Sequence, residues 1–211
     1  MKKLFLVLTI LYLINYSSQE IIKLSEPDEE GGMPLFEALS KRQSQRNLDP
    51  TKRITPQILS QALWCCYGIN RPEKKLRTVP SATGWFPLLT YVFLEEGVYL
   101  YQPDGHYLTK VLDGDYREYA GSQTAIVTKA RVNFVFIADF KKKSSMDGDD
   151  DHKKRSMYLD TGHATMALSL FAASNNMQGV VRAMVDTEKL FGLLGLKEGD
   201  YYFTLSYSLG Y

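Results

Sequence analysis

Residues 158–174 read as a helix with almost no polar face, and such a helix persists only where other protein covers it on every side. Ala164, Met166, Ala167, Leu168, Leu170, Phe171, Ala172 and Ala173 leave little of its circumference for water. In a chain of 211 residues the cover is the centre of the core, a second subunit, or both. Asp160, His163 and the shortness of the run disfavour a membrane span, which needs ~20 apolar residues. The overall content, 45% hydrophobic and 23% charged, is that of an ordinary globular protein, so one folded domain is expected.

The N-terminus departs from that pattern. Lys2 and Lys3 precede an apolar run at residues 4–14, and polar Asn15, Ser17, Ser18 and Gln19 follow. This arrangement predicts a secretory signal peptide over residues 1–18, although a cut after Ser18 would leave bulky Tyr16 just upstream. The expected location is therefore exported: periplasm, extracellular space or a secretory lumen, with no stable membrane insertion after cleavage. An uncleaved signal anchor is the alternative. Glu26, Asp28, Glu29 and Glu30 before Gly31-Gly32 suggest an acidic spacer over residues 19–32, with the folded domain at residues 33–211.

Within that domain, Pro34 suits a first helical turn and Leu35, Phe36 and Leu39 form an apolar stripe. Thr55-Pro56 starts a second helix, carried by Ile58, Leu59, Ala62, Leu63 and Cys66 and stopped by Gly68. Residues 88–94, 98–101 and 106–112 read as strands, with Pro103-Asp104-Gly105 as a turn. A helix near residues 122–130 precedes residues 132–138, whose continuous apolar character fits a strand buried on both faces. Residues 180–185, 187–194 and 201–207 follow as strand, helix and strand. The expected class is α+β, a central, mostly antiparallel sheet surrounded by helices.

Lys plus Arg number 25 against 24 Asp plus Glu, so no global field recruits nucleic acid or an acidic membrane. The two cysteines, Cys65 and Cys66, are adjacent in a helix and badly placed to bridge each other. Asp147, Asp149, Asp150, Asp151 and His152 lack metal-ligand spacing and read as part of a solvated loop over residues 141–155. His163, without triad partners, reads as structural.

Four stretches carry chemistry: Ser40 to Arg46 (Ser-Lys-Arg-Gln-Ser-Gln-Arg), Trp64 to Pro72 (Trp-Cys-Cys-Tyr-Gly-Ile-Asn-Arg-Pro), Arg77 to Ala82 (Arg-Thr-Val-Pro-Ser-Ala) and Val180 to Asp186 (Val-Val-Arg-Ala-Met-Val-Asp). Guanidiniums around a hydroxyl suit an anionic phosphate. In their order and separation the four resemble the nitroreductase-like family of FMN-dependent oxidoreductases. The resemblance implies the nitroreductase fold, a homodimer with the nearly all-apolar helix at its interface, and FMN as cofactor. It places Arg42 and Ser44 at the phosphate and ribityl end and Arg46 at the pyrimidine edge. Pro80, Ser81 and Ala82 match a stretch that reaches the flavin from the other subunit, and Ala183 and Met184 lie where backbone approaches the ring. Arg182, an arginine in an apolar strand, needs an anionic partner: a flavin edge, or an internal carboxylate such as Asp186. Trp85 and Phe86 line a substrate face or simply pack.

The sequence departs from the family at Gly84, where many relatives carry Asn, at Met166-Ala167, which replace a frequent Gln-Asn pair, and in lacking a basic tail after Gly210-Tyr211. The implied activity is two-electron reduction of a small electron-poor organic acceptor, with NAD(P)H as a candidate donor and the chemistry carried by the flavin rather than by a catalytic side chain. The alternative is a non-catalytic flavin- or ligand-binding protein that keeps the fold.

Overall fold

The computed structural model describes residues 20–143 and 150–211. The signal peptide expected at residues 1–18, and Asp147 and Asp149 of the acidic loop, lie outside the described residues. Nine strands and five α-helices follow in chain order among the described residues: β1 (Ile21–Lys23), α1 (Leu35–Lys41), α2 (Pro56–Tyr67), β2 (Ile69–Arg71), β3 (Leu76–Arg77), β4 (Leu88–Phe93), β5 (Gly97–Gln102), β6 (Tyr107–Asp113), α3 (Thr124–Val127), β7 (Val132–Asp139), α4 (Asp150–Ser174), β8 (Gln178–Arg182), α5 (Thr187–Leu194) and β9 (Tyr201–Gly210). Seven strands form one sheet in the order β1-β6-β5-β4-β7-β9-β8, with every pairing antiparallel, and β2 and β3 form a separate hairpin.

β7 lies between β4 and β9, and its alternation divides the core. Phe134 and Phe136 face a cluster with Leu63, Met157 and Leu168, while Val135 and Ile137 face Leu190, Phe191 and Val127. Because successive side chains point to opposite faces, one apolar run supplies both layers. Each of these side chains contributes about 2 kcal/mol by leaving water. Asn133, the polar member of the strand, donates from Nδ2 to the Val127 carbonyl at 2.9 Å and accepts from the Ser208 hydroxyl at 2.6 Å. Its burial is thus matched by hydrogen bonds.

The helix ends follow local chemistry. Thr55 caps α2 by accepting from the Ile58 N–H at 3.2 Å, with Pro56 in the first turn. Asp186 caps α5 through the Lys189 N–H, and left-handed Gly195 (φ 65°) ends that helix.

Four expectations need correction. Residues 20–32 are not a free spacer: β1 pairs with β6, Leu24 is buried, and the carbonyls of Ser25, Glu26 and Asp28 accept from Ser60, Gln57 and Gln61 of α2. The fold therefore begins well before Met33. α4 starts at Asp150 rather than inside the following apolar run, because Lys153 and Lys154 lie over the rings of Phe140 and Tyr202 at 5.5 and 5.6 Å and Met157 enters the core. α1 turns only Ala38 inward, leaving Leu35, Phe36 (85% exposed) and Leu39 uncovered. His163 is exposed rather than packed in the core. α4 itself is half-covered in one chain, since Met157, Ala164, Leu168 and Phe171 are buried while Tyr158, Leu159 (66% exposed) and Met166 face outward.

Candidate functional site

The Arg42–Arg46 stretch leaves α1 and runs beside the edge strand β8. Arg42 closes α1 by donating its N–H to Ala38, and the Gln45 N–H donates to the Gly179 carbonyl at 3.0 Å. Gly179 permits this approach and also accommodates the Tyr207 ring, whose Cζ would lie 2.6 Å from any Cβ there. Burial pushes the Tyr207 phenol up to about 12, against weaker lowering by the neighbouring Ser169 hydroxyl and Arg42 charge. Ser44 and Arg46 are exposed and Arg42 is half-buried beside a cavity of about 430 Å3.

Arg182 ends β8 and is 5% exposed. Its Nη1 reaches the Gln123 carbonyl at 3.4 Å, and its Nε and Nη2 have no hydrogen-bond partner. Burial, and secondarily the Arg46 charge, lower its pKa. The internal carboxylate alternative is not formed: Asp186 bonds Lys189 instead, N–H to Oδ1 and Nζ to Oδ2, both at 3.1 Å. The other buried arginine among the described residues supplies the contrast, because Arg117 is held by Asp115 at 2.7 and 2.9 Å and by the Ala130 carbonyl. A desolvated cation with two unmet donors is complementary to an anionic or strongly accepting group. Ala183 and Met184 follow Arg182 into the open, anchored by the Ser122 N–H donating to the Met184 carbonyl at 3.0 Å.

Pro80, Ser81 and Ala82 lie elsewhere, on a loop against α4. The Ser81 hydroxyl donates to Asp160 at 2.5 Å, the Ala82 N–H donates to the same carboxylate at 3.2 Å, and the Phe86 N–H donates to Ser81 Oγ at 2.7 Å. Thr83 (φ 51°), Gly84 (φ 69°) and Phe86 (φ 48°) are all left-handed. At the two non-glycine positions this conformation costs on the order of 1–3 kcal/mol each. Glycine at 84 suits that backbone, since it alone adopts it without a Cβ penalty. Trp85 is buried, with its indole N–H on the Lys142 carbonyl, and Phe86 meets Tyr67 edge to face. Packing therefore accounts for both aromatics.

One helix separates the two groups. Asp160 holds the Ser81 loop, and Ser169 lies beside Tyr207 in the arginine group. Nine residues at 1.5 Å each put them about 13 Å apart, after about two and a half turns and so on opposite sides of α4. A single chain thus assembles Arg42, Ser44, Arg46, Arg182, Ala183 and Met184 but does not bring Pro80, Ser81 and Ala82 to them. Sequence reasoning missed the Gly121–Gln123 stretch that seats Arg182, and it missed Asp160. The latter left a signal, as an acid in an apolar helix needs donors.

The nitroreductase family model matches residues 39–211. The chain belongs to the nitroreductase family. A relative from Methanocaldococcus jannaschii, named "Putative nitroreductase MJ1384", is 29% identical over 189 residues, spanning 85% of this chain and 92% of that protein. A crystal structure from Ralstonia eutropha JMP134, also described as a "putative nitroreductase", superposes with a TM-score of 0.83 at 30% identity, covering 92% of this chain and 90% of the other. A nitroreductase-fold structure from Desulfovibrio desulfuricans, in complex with FMN, has a TM-score of 0.60 at 16% identity over 85% of this chain and 87% of its own. The nitroreductase fold, an α+β arrangement on a large antiparallel sheet, is the one described above. Among the described residues no group of three His, Cys, Asp or Glu side chains is placed to hold a metal, and no helix is long and apolar enough to cross a membrane.

Proposed function

We propose that this nitroreductase-family oxidoreductase binds FMN between two copies of the chain and uses it to reduce a small electron-poor organic acceptor, with a nicotinamide as candidate donor. The observation that carries the reading is Arg182, buried without a carboxylate and with Nε and Nη2 unmet, at the end of the strand beside Arg42, Ser44 and Arg46. These residues fit an anionic cofactor. Bound FMN would supply two-electron chemistry that no side chain here provides.

Arg42 and the Ser44 hydroxyl would take the phosphate and ribityl end through charge-assisted bonds. Arg46 and Arg182 would put positive charge at the ring edge where negative charge accumulates on reduction, which favours the reduced state. Ala183 and Met184 would lie along the ring, and the partner's Pro80–Ala82 loop would complete the site. The uncovered Leu35, Phe36, Leu39, Tyr158, Leu159 and Met166 supply apolar surface for that pairing. Residues 1–18 would direct export, which leaves the donor open because nicotinamides are mainly intracellular.

The test is spectroscopic and hydrodynamic: protein purified from its own compartment should be yellow, bind one FMN per chain and sediment as a dimer at micromolar concentration. Colourless protein that fails to take up FMN on titration would sink the reading. Flavin binding without turnover of any donor–acceptor pair would favour the non-catalytic alternative, for which the Met166-Ala167 departure speaks.

A further inference from the structure

We infer that Asp160 is a positioning residue, holding in shape the loop that each subunit lends to its partner's flavin. The inference rests on the shared-flavin reading above and adds a residue that touches neither cofactor nor acceptor. Asp160 is 2% exposed, and no salt bridge joins it to a cation among the described residues. Among the described residues, the favourable charge that bears on it is that of exposed His163, one turn further along α4. A carboxylate buried in this way is costly unless hydrogen bonds replace its water.

Those bonds come from one loop. Oδ2 accepts from the Ser81 hydroxyl, Oδ1 accepts from the Ala82 N–H, and Ser81 Oγ in turn accepts from the Phe86 N–H. The chain of bonds ties residues 81, 82 and 86 to one point on α4 and closes a turn whose Thr83, Gly84 and Phe86 all have positive φ. Strain of this kind persists only where the surroundings over-determine it. From the other end, Lys142 Nζ donates to the Phe86 carbonyl at 2.6 Å, but Lys142 is exposed, so the buried anchor is Asp160. Because α4 also carries Ser169 beside Tyr207, the same rigid helix would set where the loop stands relative to the arginine group, and across a two-fold axis relative to the partner's.

The test uses the full-length protein with Asp160→Asn, which keeps shape but presents an amide where donors point, and with Ser81→Ala, which cuts the same chain from the loop side. In flavin-free protein, amide exchange at Phe86 should accelerate at least about tenfold in both variants while β7 keeps parental protection. With FMN, both should lose about tenfold in affinity, shift the bound-flavin absorption band and lower kcat more than they raise KM. The double variant should be no worse than the more affected single one, as expected when two residues act as one unit. Unchanged Phe86 exchange in both variants would overturn the clamp. Faster exchange with parental affinity, spectrum and kcat would overturn the positioning role. If the parent itself binds no FMN, the flavin reading fails on its own, and Phe86 exchange still reports whether the clamp exists.

Discussion

The guanidinium of Arg182 lies flat against Gly121: a Cβ added to that glycine would stand 2.8 Å from both Cζ and Nε. The backbone at Gly121 is extended, so glycine is needed here for space rather than for its φ. Gly121→Ala should push the guanidinium off its seat while the fold persists, and FMN affinity should fall by about tenfold, approaching the loss in Arg182→Ala. Flavin titration of both variants checks this, and parental affinity in both would mean that Arg182 serves packing alone.

Arg42→Ala would remove the proposed charge-assisted phosphate contact. Such contacts are worth on the order of 1.5–3 kcal/mol, so FMN affinity should drop by about one to two powers of ten with thermal stability nearly unchanged. Ser44→Ala should have a smaller effect, since a hydroxyl brings one hydrogen bond and no charge of its own. Affinities equal to the parent's would reduce this stretch to surface decoration.

How far the sequence anticipated these features depended on the range of the interactions. α2 and α5 were legible because Thr55, Pro56, Gly68 and Gly195 are local signals, and β7 because its apolar run is uninterrupted. β1 was not legible: three residues carry no measurable period, and their partner, β6, lies more than 80 residues away. Periodicity identified the stripes of α1 and α4, yet it cannot say whether a stripe meets its own core or another chain. In the same way, Arg182 was recognisable as a buried cation in need of a partner. That Asp186 turns to Lys189 instead depends on how α5 is capped.

His106 predicts a pH dependence of stability. The Ser60 hydroxyl donates to the Ser25 carbonyl, so at 2.7 Å it accepts from His106 Nε2–H, and Nδ1 then accepts from the Tyr101 hydroxyl at 2.8 Å. This arrangement requires a neutral ring. Burial lowers the pKa below the usual 6.5, against partial raising by Glu26 and a backbone bond to Ser25. Between the folded value and 6.5 the unfolded chain binds more protons, so stability falls as pH falls through that window. Denaturant midpoints at pH 7.5 and 5.5 should drop more in the parent than in His106→Gln, and equal drops would assign the effect to carboxylates.

Phe36→Asp and Leu159→Asp should split the proposed dimer. Each side chain is exposed in one chain, and burying either contributes roughly 1.5–3 kcal/mol. A two-fold axis makes every substitution count twice, so the dimer constant should weaken by at least about two powers of ten with the folded monomer intact. Sedimentation equilibrium reads this directly, and FMN should be lost together with the dimer. An unchanged mass for both variants would place the partner surface elsewhere.

The N-terminal segment separates two kinds of truncation. Protein beginning at Gln19 lacks only the proposed signal peptide and keeps β1, so its melting temperature and flavin content should equal those of the mature protein. Protein beginning at Met33 also loses the β1–β6 pairing, the buried Leu24 and the carbonyls that accept from Ser60, Gln57 and Gln61. It further loses Glu20, which pairs with Lys110 at 2.6 Å. Burial of Leu24 alone is worth about 2 kcal/mol, and a buried Ser60 hydroxyl without its acceptor adds about 1 kcal/mol or more. At about 2–4 °C per kcal/mol for a chain of this size, the shorter protein should melt roughly 6–12 °C lower. Equal melting temperatures would return residues 20–32 to the role of spacer. A lower melting temperature in protein that starts at Gln19 would instead make the apolar run at residues 4–14 part of the fold, and the proposal of export would fall with it.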